Sequence, residues 1–248
     1  MYNALRFPTL PASAASVTVR PIRQGEAPLL RASPVAAAIG DETLRRLRRE
    51  MHERQVEAGA HLAWKGDVVE HWAVVVDGMV KIEATAADGR RTTLLGVTVG
   101  GWFGEAALLG DGRWPFDVVA TRATRLGLLP RAAFERLLAS SIGFNRFLIG
   151  QLNARLSQFV QRCEHDRFSE APEHLAHCLA ELFDARLYPR TGRCLPMSQE
   201  EVAQLAGISR PTANRALHAL ERQGVLSVRY GSIEVHDPEA LARLGSLH

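Results

Sequence analysis

The sequence is almost without lysine. Lys65 and Lys81 are the only lysines among 30 basic residues, so nearly all positive charge is guanidinium. Arginine grips phosphates and base edges through a planar fork, although heavy arginine use is as readily a habit of genome composition. Sulfur is also scarce. Cys163, Cys178 and Cys194 are odd in number, widely spaced and late in the chain. They build neither a disulfide framework nor a Cys-x-x-Cys cluster, which points to a reduced, cytoplasmic protein. No run of eighteen apolar residues exists, so no membrane span is expected. The opening MYNALRFPTLPASAAS lacks the continuous apolar core of a signal peptide. What is present is an ordinary globular composition, 46% apolar and 23% charged, over 248 residues, enough for two domains. The formal charge of +3 permits a polyanionic partner without demonstrating one.

Residues 1–28 are rich in Pro, Ala and Ser without periodicity and read as a flexible extension. DETLRRLRREM then reads as a helix, with Asp41 as its N-cap and Leu44 and Leu47 facing inward. From 55 to 129 the pattern changes to short apolar strands punctuated by turns. Asp77-Gly78 and Asp88-Gly89 lie between β-branched runs and read as hairpin corners. Gly59, Gly66 and Gly100-Gly101 continue the spacing of a small β-barrel or β-roll. Helical periodicity returns at PRAAFERLL and then runs from about 144 to 168. There Ile149, Leu152, Leu156, Phe159 and Cys163 alternate three and four residues apart on one seam. So narrow a stripe on so long a helix calls for a partner helix, the alternative being a helix packed only on its own domain. Pro172 breaks the pattern before a second set of helices.

SQEEVAQLAGISRPTANRALHALER, starting at Ser198, is the most informative segment. Ser198 caps a helix with Glu200 and Glu201 in its first turn, and that helix ends at Gly207, a residue suited to a left-handed corner. Ser209 caps a second helix that accepts Pro211 in its first turn. Val202, Ala206, Ile208, Ala213, Ala216, Leu217 and Leu220 form a shared core, the pattern of a helix-turn-helix. Arg210, Pro211, Asn214, Arg215 and His218 fall on the opposite face. Arg and Asn read guanine and adenine edges, while Ser209 and Thr212 suit phosphate oxygens. Beyond Gln223-Gly224, VLSVRYGSIEV reads as a hairpin turning at Tyr230-Gly231, a wing whose Arg229 can reach a phosphate.

With these features in this order, residues 30–236 resemble the CRP/FNR family of bacterial transcription regulators. WFGEAALL, from Trp102, resembles the start of the family's phosphate-binding cassette, and SRPTANRALHALE its recognition helix. The resemblance implies an α+β chain: an N-terminal β-roll (a double-stranded, jelly-roll-like barrel) over 29–142, a dimerisation helix over 143–170, and a C-terminal winged helix-turn-helix over 171–248. It further implies that Arg210 and Arg215 contact bases, with Pro211 standing where the family usually has a Glu. For the effector pocket, whose candidates here are Gly104, Glu105, Arg113, Trp114 and Phe159, it implies Gly104, and Glu105 as acceptor of a ribose hydroxyl. The family's phosphate-neutralising Arg is replaced by Trp114, with Arg113 displaced one position and so turned to the other face of an extended segment. The polar pair that meets the base is replaced by Phe159-Val160. These departures argue against cyclic AMP, leaving another effector or none, and Glu105 reads alternatively as half of an internal ion pair.

Other sensors are poorly supported. Iron–sulfur members of the family use cysteines near the N-terminus, and the first here is Cys163. His61 and His71 are isolated candidates for haem, better read as solvated turn residues. His174, His177 and Cys178 could share a helix face for a metal, but the simpler reading puts Cys178 in the core and both histidines toward solvent. Cys163 on the seam is best read as a buried small residue. No catalytic residue, metal or cofactor is assigned. A metal-dependent β-barrel enzyme would need a His-x-His pair, which the barrel segment lacks. The alternative to a DNA regulator is a ligand-binding module that docks on a protein partner through its helix-turn-helix. The expected partners are double-stranded DNA, a second copy of the chain, and RNA polymerase if the protein activates. Global charge carries little of this argument, because 171–248 holds eight arginines against nine acids.

Overall fold

The computed structural model describes the backbone of 18–21 and residues 33–246. The remainder of the segment read as an extension lies outside the described residues. Thr18–Pro21 is a strand, β1, which corrects the reading of 1–28 as wholly irregular: it pairs antiparallel with β2, His52–Val56. The roll continues through β3 (His61–Ala63), β4 (His71–Asp77), β5 (Val80–Thr85), β6 (Arg91–Val97), β7 (Trp102–Phe103), β8 (Asp117–Ala120) and β9 (Thr124–Pro130). These strands make two antiparallel sheets, ordered β1-β2-β9-β4-β7 and β3-β8-β5-β6.

β4 shows how its sequence builds the layers. Its run WAVVV is buried throughout, because both faces of the strand are covered. Successive side chains point to opposite faces. Ala73 and Val75 therefore enter the core between the sheets, beside Val80, Phe103 and Leu126. Trp72, Val74 and Val76 pack outward with Val35, Leu44, Leu47, Phe134 and Phe144 from the helices α1 (Pro34–Ile39), α2 (Asp41–Glu50), α4 (Arg131–Ser140) and α5 (Ile142–Phe168). The short α3, Glu105–Leu109, follows β7. Trp72 and Trp102 stack at 3.8 Å within this outer core.

Two local expectations are corrected. Asp41 is the first helical residue of α2, and Gly40 is its N-cap. Asp77-Gly78 does not close a hairpin, since it carries the chain from β4 in one sheet to β5 in the other. Asp88-Gly89 does join a hairpin, β5 to β6.

The C-terminal part contains α6 (Ala171–Ala180), a 3-10 turn at Glu181–Phe183, α7 (Gln199–Leu205), α8 (Arg210–Arg222), α9 (Pro238–Leu244) and a small sheet ordered β10 (Cys194–Leu195), β12 (Ser232–Val235), β11 (Leu226–Arg229). Its core joins Leu175, Leu179, Val202, Ala213, Leu217 and Ile233, and takes in Met79 from the roll. Lys81 Nζ donates to Gln204 Oε1 at 3.3 Å, adding a polar contact between roll and α7. Ser198 forms a reciprocal capping box: its Oγ accepts from Glu201 N at 3.2 Å, and its own N donates to Glu201 Oε2 at 2.7 Å. Ser198→Ala is expected to lower stability by about 1 kcal/mol, measured by urea denaturation. A loss below a few tenths would show that the box contributes nothing.

Candidate functional site

α5 carries two stripes, and each faces something different. In the single chain the seam residues Ile149, Leu156 and Phe159 are 66%, 60% and 63% exposed, Leu152 is half-buried, and Cys163 is exposed. These side chains make a contiguous apolar strip on one helix face. The opposite stripe, Gln151, Arg155, Gln158, Arg162 and His165, also alternates four and three apart, and it turns toward the body of the protein.

That inner stripe closes a cavity of about 480 Å³ between β5, β6, α3, the 114–116 segment and α5. Gly104, Glu105, Trp114 and Phe159 are among the residues that line it. Gly104 has φ +99°, and a methyl group there would stand 3.0 Å from the Trp114 ring, so the indole lies directly on this turn. Arg113 is corrected: it is exposed and not part of the lining, its Nη1 donating to the Gly66 carbonyl at 2.8 Å. The reason is alternation along an extended segment, since Arg113 bridges Val68.

Sequence reasoning missed Arg155 and Arg162, because only the apolar stripe of the helix was followed. Arg155 Nε donates to Glu105 Oε1 at 2.9 Å, and its other nitrogens donate to Tyr188 Oη and the Trp102 carbonyl. Trp72 Nε1 donates to Glu105 Oε2 at 3.3 Å. Burial is the largest single influence and works against the Arg155 charge, but Glu105 and Tyr188 together outweigh it and hold the guanidinium above its ordinary value. Arg162 pairs with Glu181 in the same way and donates to the Leu94 carbonyl at 2.6 Å. Glu105 is thus held in an internal ion pair.

The second candidate surface is α8. Gly207, at φ +64°, turns the corner between α7 and α8, and Ser209 Oγ accepts from Thr212 N at 3.3 Å. Ala213, Ala216, Leu217 and Leu220 are buried, while Arg210, Pro211, Arg215 and His218 are exposed on the other face. Arg210 stands 3.8 Å from Glu200, and Arg215 donates to Thr212 Oγ1 at 3.3 Å. Asn214 is half-buried, its Oδ1 buried without a hydrogen-bond partner among the described residues. Glu221 ties helix to wing: one oxygen accepts from Val228 N at 3.0 Å, the other faces His218. Arg229 pairs with Glu234 across the wing, and Tyr230, which the sequence reading left unassigned, is fully exposed at its tip.

The remaining candidates do not converge. His61 stacks on Trp64 at 3.4 Å, and neither it nor His71 lines the cavity. His174 and His177 are buried, correcting the expectation that they face solvent. His174 Nε2 donates to the Ala206 carbonyl at 2.7 Å, and His177 stacks on His165. Burial pushes the Cys178 thiol up to about 12, so it stays protonated. Among the described residues no group of His, Cys, Asp or Glu is arranged for a metal, and no helix is long and apolar enough to cross a membrane.

A cavity-bearing β-roll joined by a long helix to a winged helix-turn-helix is the architecture of a transcription regulator. Two family profiles match in that order: the cyclic nucleotide-binding domain over residues 53–141 and the Crp-like helix-turn-helix domain over residues 173–244. The Cyclic AMP receptor protein of Thermus thermophilus is 27% identical over 87% of this chain and 98% of its own. Transcriptional regulator SdrP of the same organism is 31% identical over 68% of this chain and 81% of its own. The structure of FixK2 from Bradyrhizobium japonicum shares the fold, with a TM-score of 0.67 at 23% identity over 79% of this chain and 98% of that one. The chain belongs to the CRP/FNR family of transcription regulators.

Proposed function

We propose that this regulator acts in the cytoplasm as a homodimer that reads a palindromic operator through the exposed face of α8. The observation that carries the reading is the division of that helix, with Ala213, Ala216, Leu217 and Leu220 sealed into the core and Arg210, Arg215 and His218 left open beside the wing. Arg210 and Arg215 read base edges, Ser209 and Thr212 meet phosphates, and Arg229 extends the phosphate contacts from the wing. Asn214 contributes to adenine only by turning outward from its half-buried position. Pairing of α5 with its copy sets two recognition helices about one duplex turn, ~34 Å, apart. Activation would add a contact to RNA polymerase. The roll is the effector domain, with a pocket that has lost the features required for a cyclic nucleotide: Trp114 covers the phosphate turn and Glu105 is engaged by Arg155.

The test begins with selection of genomic fragments by the purified protein, followed by fluorescence anisotropy on the operator recovered. Arg215→Ala is expected to weaken specific binding by about 1–3 kcal/mol and to relax preference at one base step. Unchanged discrimination among operator variants would remove Arg215 from base reading. Failure to retain any fragment would favour the protein-docking alternative.

A further inference from the structure

The aromatic side chains that replace the family's nucleotide contacts do not fill the pocket. About 480 Å³ stays open behind Trp114 and Phe159, a size that encloses a drug-like molecule. Apolar side chains make most of the wall, among them Ile82, Leu94, Leu95 and Phe103. The charged groups of the wall are already matched to one another, Glu105 with Arg155 and Glu181 with Arg162, and all four side chains are largely buried. An anionic ligand would have to draw a guanidinium from its carboxylate and leave that carboxylate buried without a counter-charge. A cationic ligand would do the reverse. An uncharged ligand disturbs neither pair and gains from burying its apolar surface. Among the described residues three buried atoms of lining residues, Gln158 Oε1, Arg162 Nε and Glu181 Oε1, have no hydrogen-bond partner, so these residues keep unmet acceptor and donor capacity for one polar group on a ligand.

We propose that the roll binds an uncharged, hydrophobic, ring-bearing small molecule with a single polar group, in place of a cyclic nucleotide. The inference deepens the effector-domain reading, on which its regulatory meaning rests, while the binding itself is measured without DNA.

N-phenyl-1-naphthylamine is neutral, and 1-anilinonaphthalene-8-sulfonate adds one negative charge to the same aromatic body. Titrated into the full chain, the neutral probe is expected to bind saturably, once per protomer, about tenfold or more tighter than the sulfonate. Excess cyclic AMP is expected not to displace it. Ala106→Trp, at an exposed position of the lining, should abolish this binding, and Ala84→Phe on another wall provides the same test if the first variant misfolds. Ile149→Glu alters only the apolar seam, which is a second place for such a probe, and should leave saturable binding at one probe per protomer. Equal affinity for the two probes, displacement by cyclic AMP, or unaltered binding in a folded cavity-filled variant would overturn the proposal. Retained probe binding by a protein that selects no DNA would support the cavity proposal and count against the DNA-reading one.

Discussion

Arg155→Ala is expected to destabilise the protein by about 3–5 kcal/mol, the usual consequence of stranding one half of a buried ion pair. The Glu105 side chain is only 5% exposed. Without the guanidinium its carboxylate keeps the single indole donor of Trp72 and no counter-charge. The Trp102 carbonyl and the buried Tyr188 hydroxyl lose a donor at the same time. The size of the loss follows from that asymmetry, because removing one partner exposes the full desolvation penalty of the other. Arg155→Met combined with Glu105→Gln removes both charges and is expected to recover most of the loss. Urea denaturation of the single and double variants checks this. A single-variant loss below about 1 kcal/mol would mean that Glu105 is better solvated than its burial implies.

The second large effect concerns the open stripe of α5. Ile149→Glu places a charge in the middle of the proposed helix pair, while its 66% exposure in the single chain means that no core contact within the protomer is lost. The variant is expected to sediment as a monomer with unchanged helix content. Its operator affinity is expected to fall by about 10²-fold or more, because the second half-site is no longer bound intramolecularly. Sedimentation and anisotropy on one preparation separate the two claims. A persistent dimer would move the interface elsewhere, and a monomer with full affinity would show that one half-site suffices.

Much of this was legible where structure is set locally. The helix-turn-helix depends on caps, one glycine corner and apolar spacing within 25 residues, and Ser198, Gly207 and Ser209 all serve as the pattern demands. The two Asp-Gly turns show the limit of such reasoning. The same dipeptide closes a hairpin at Asp88 and carries the chain between sheets at Asp77, because the choice lies with partners distant in sequence. The candidate cavity was legible on one side only. Trp114 and Phe159 stand out against a family pattern, whereas Arg155 and Arg162 look like surface charge on a helix until its inner face is counted in heptads. His174 and His177 mislead similarly, since a histidine spacing does not reveal that the Ala206 carbonyl lies within reach of one ring.

Leu156 and Phe159 border both the cavity and the open seam of α5. In the dimer proposed above, an occupant of the roll and a second protomer would therefore press on the same two side chains from opposite sides. Thermodynamic reciprocity then sets a rule for the system: whatever factor the small molecule applies to self-association, self-association must apply to the small molecule. Effector affinity would depend on protein concentration, and the abundance of the regulator would tune its own sensitivity.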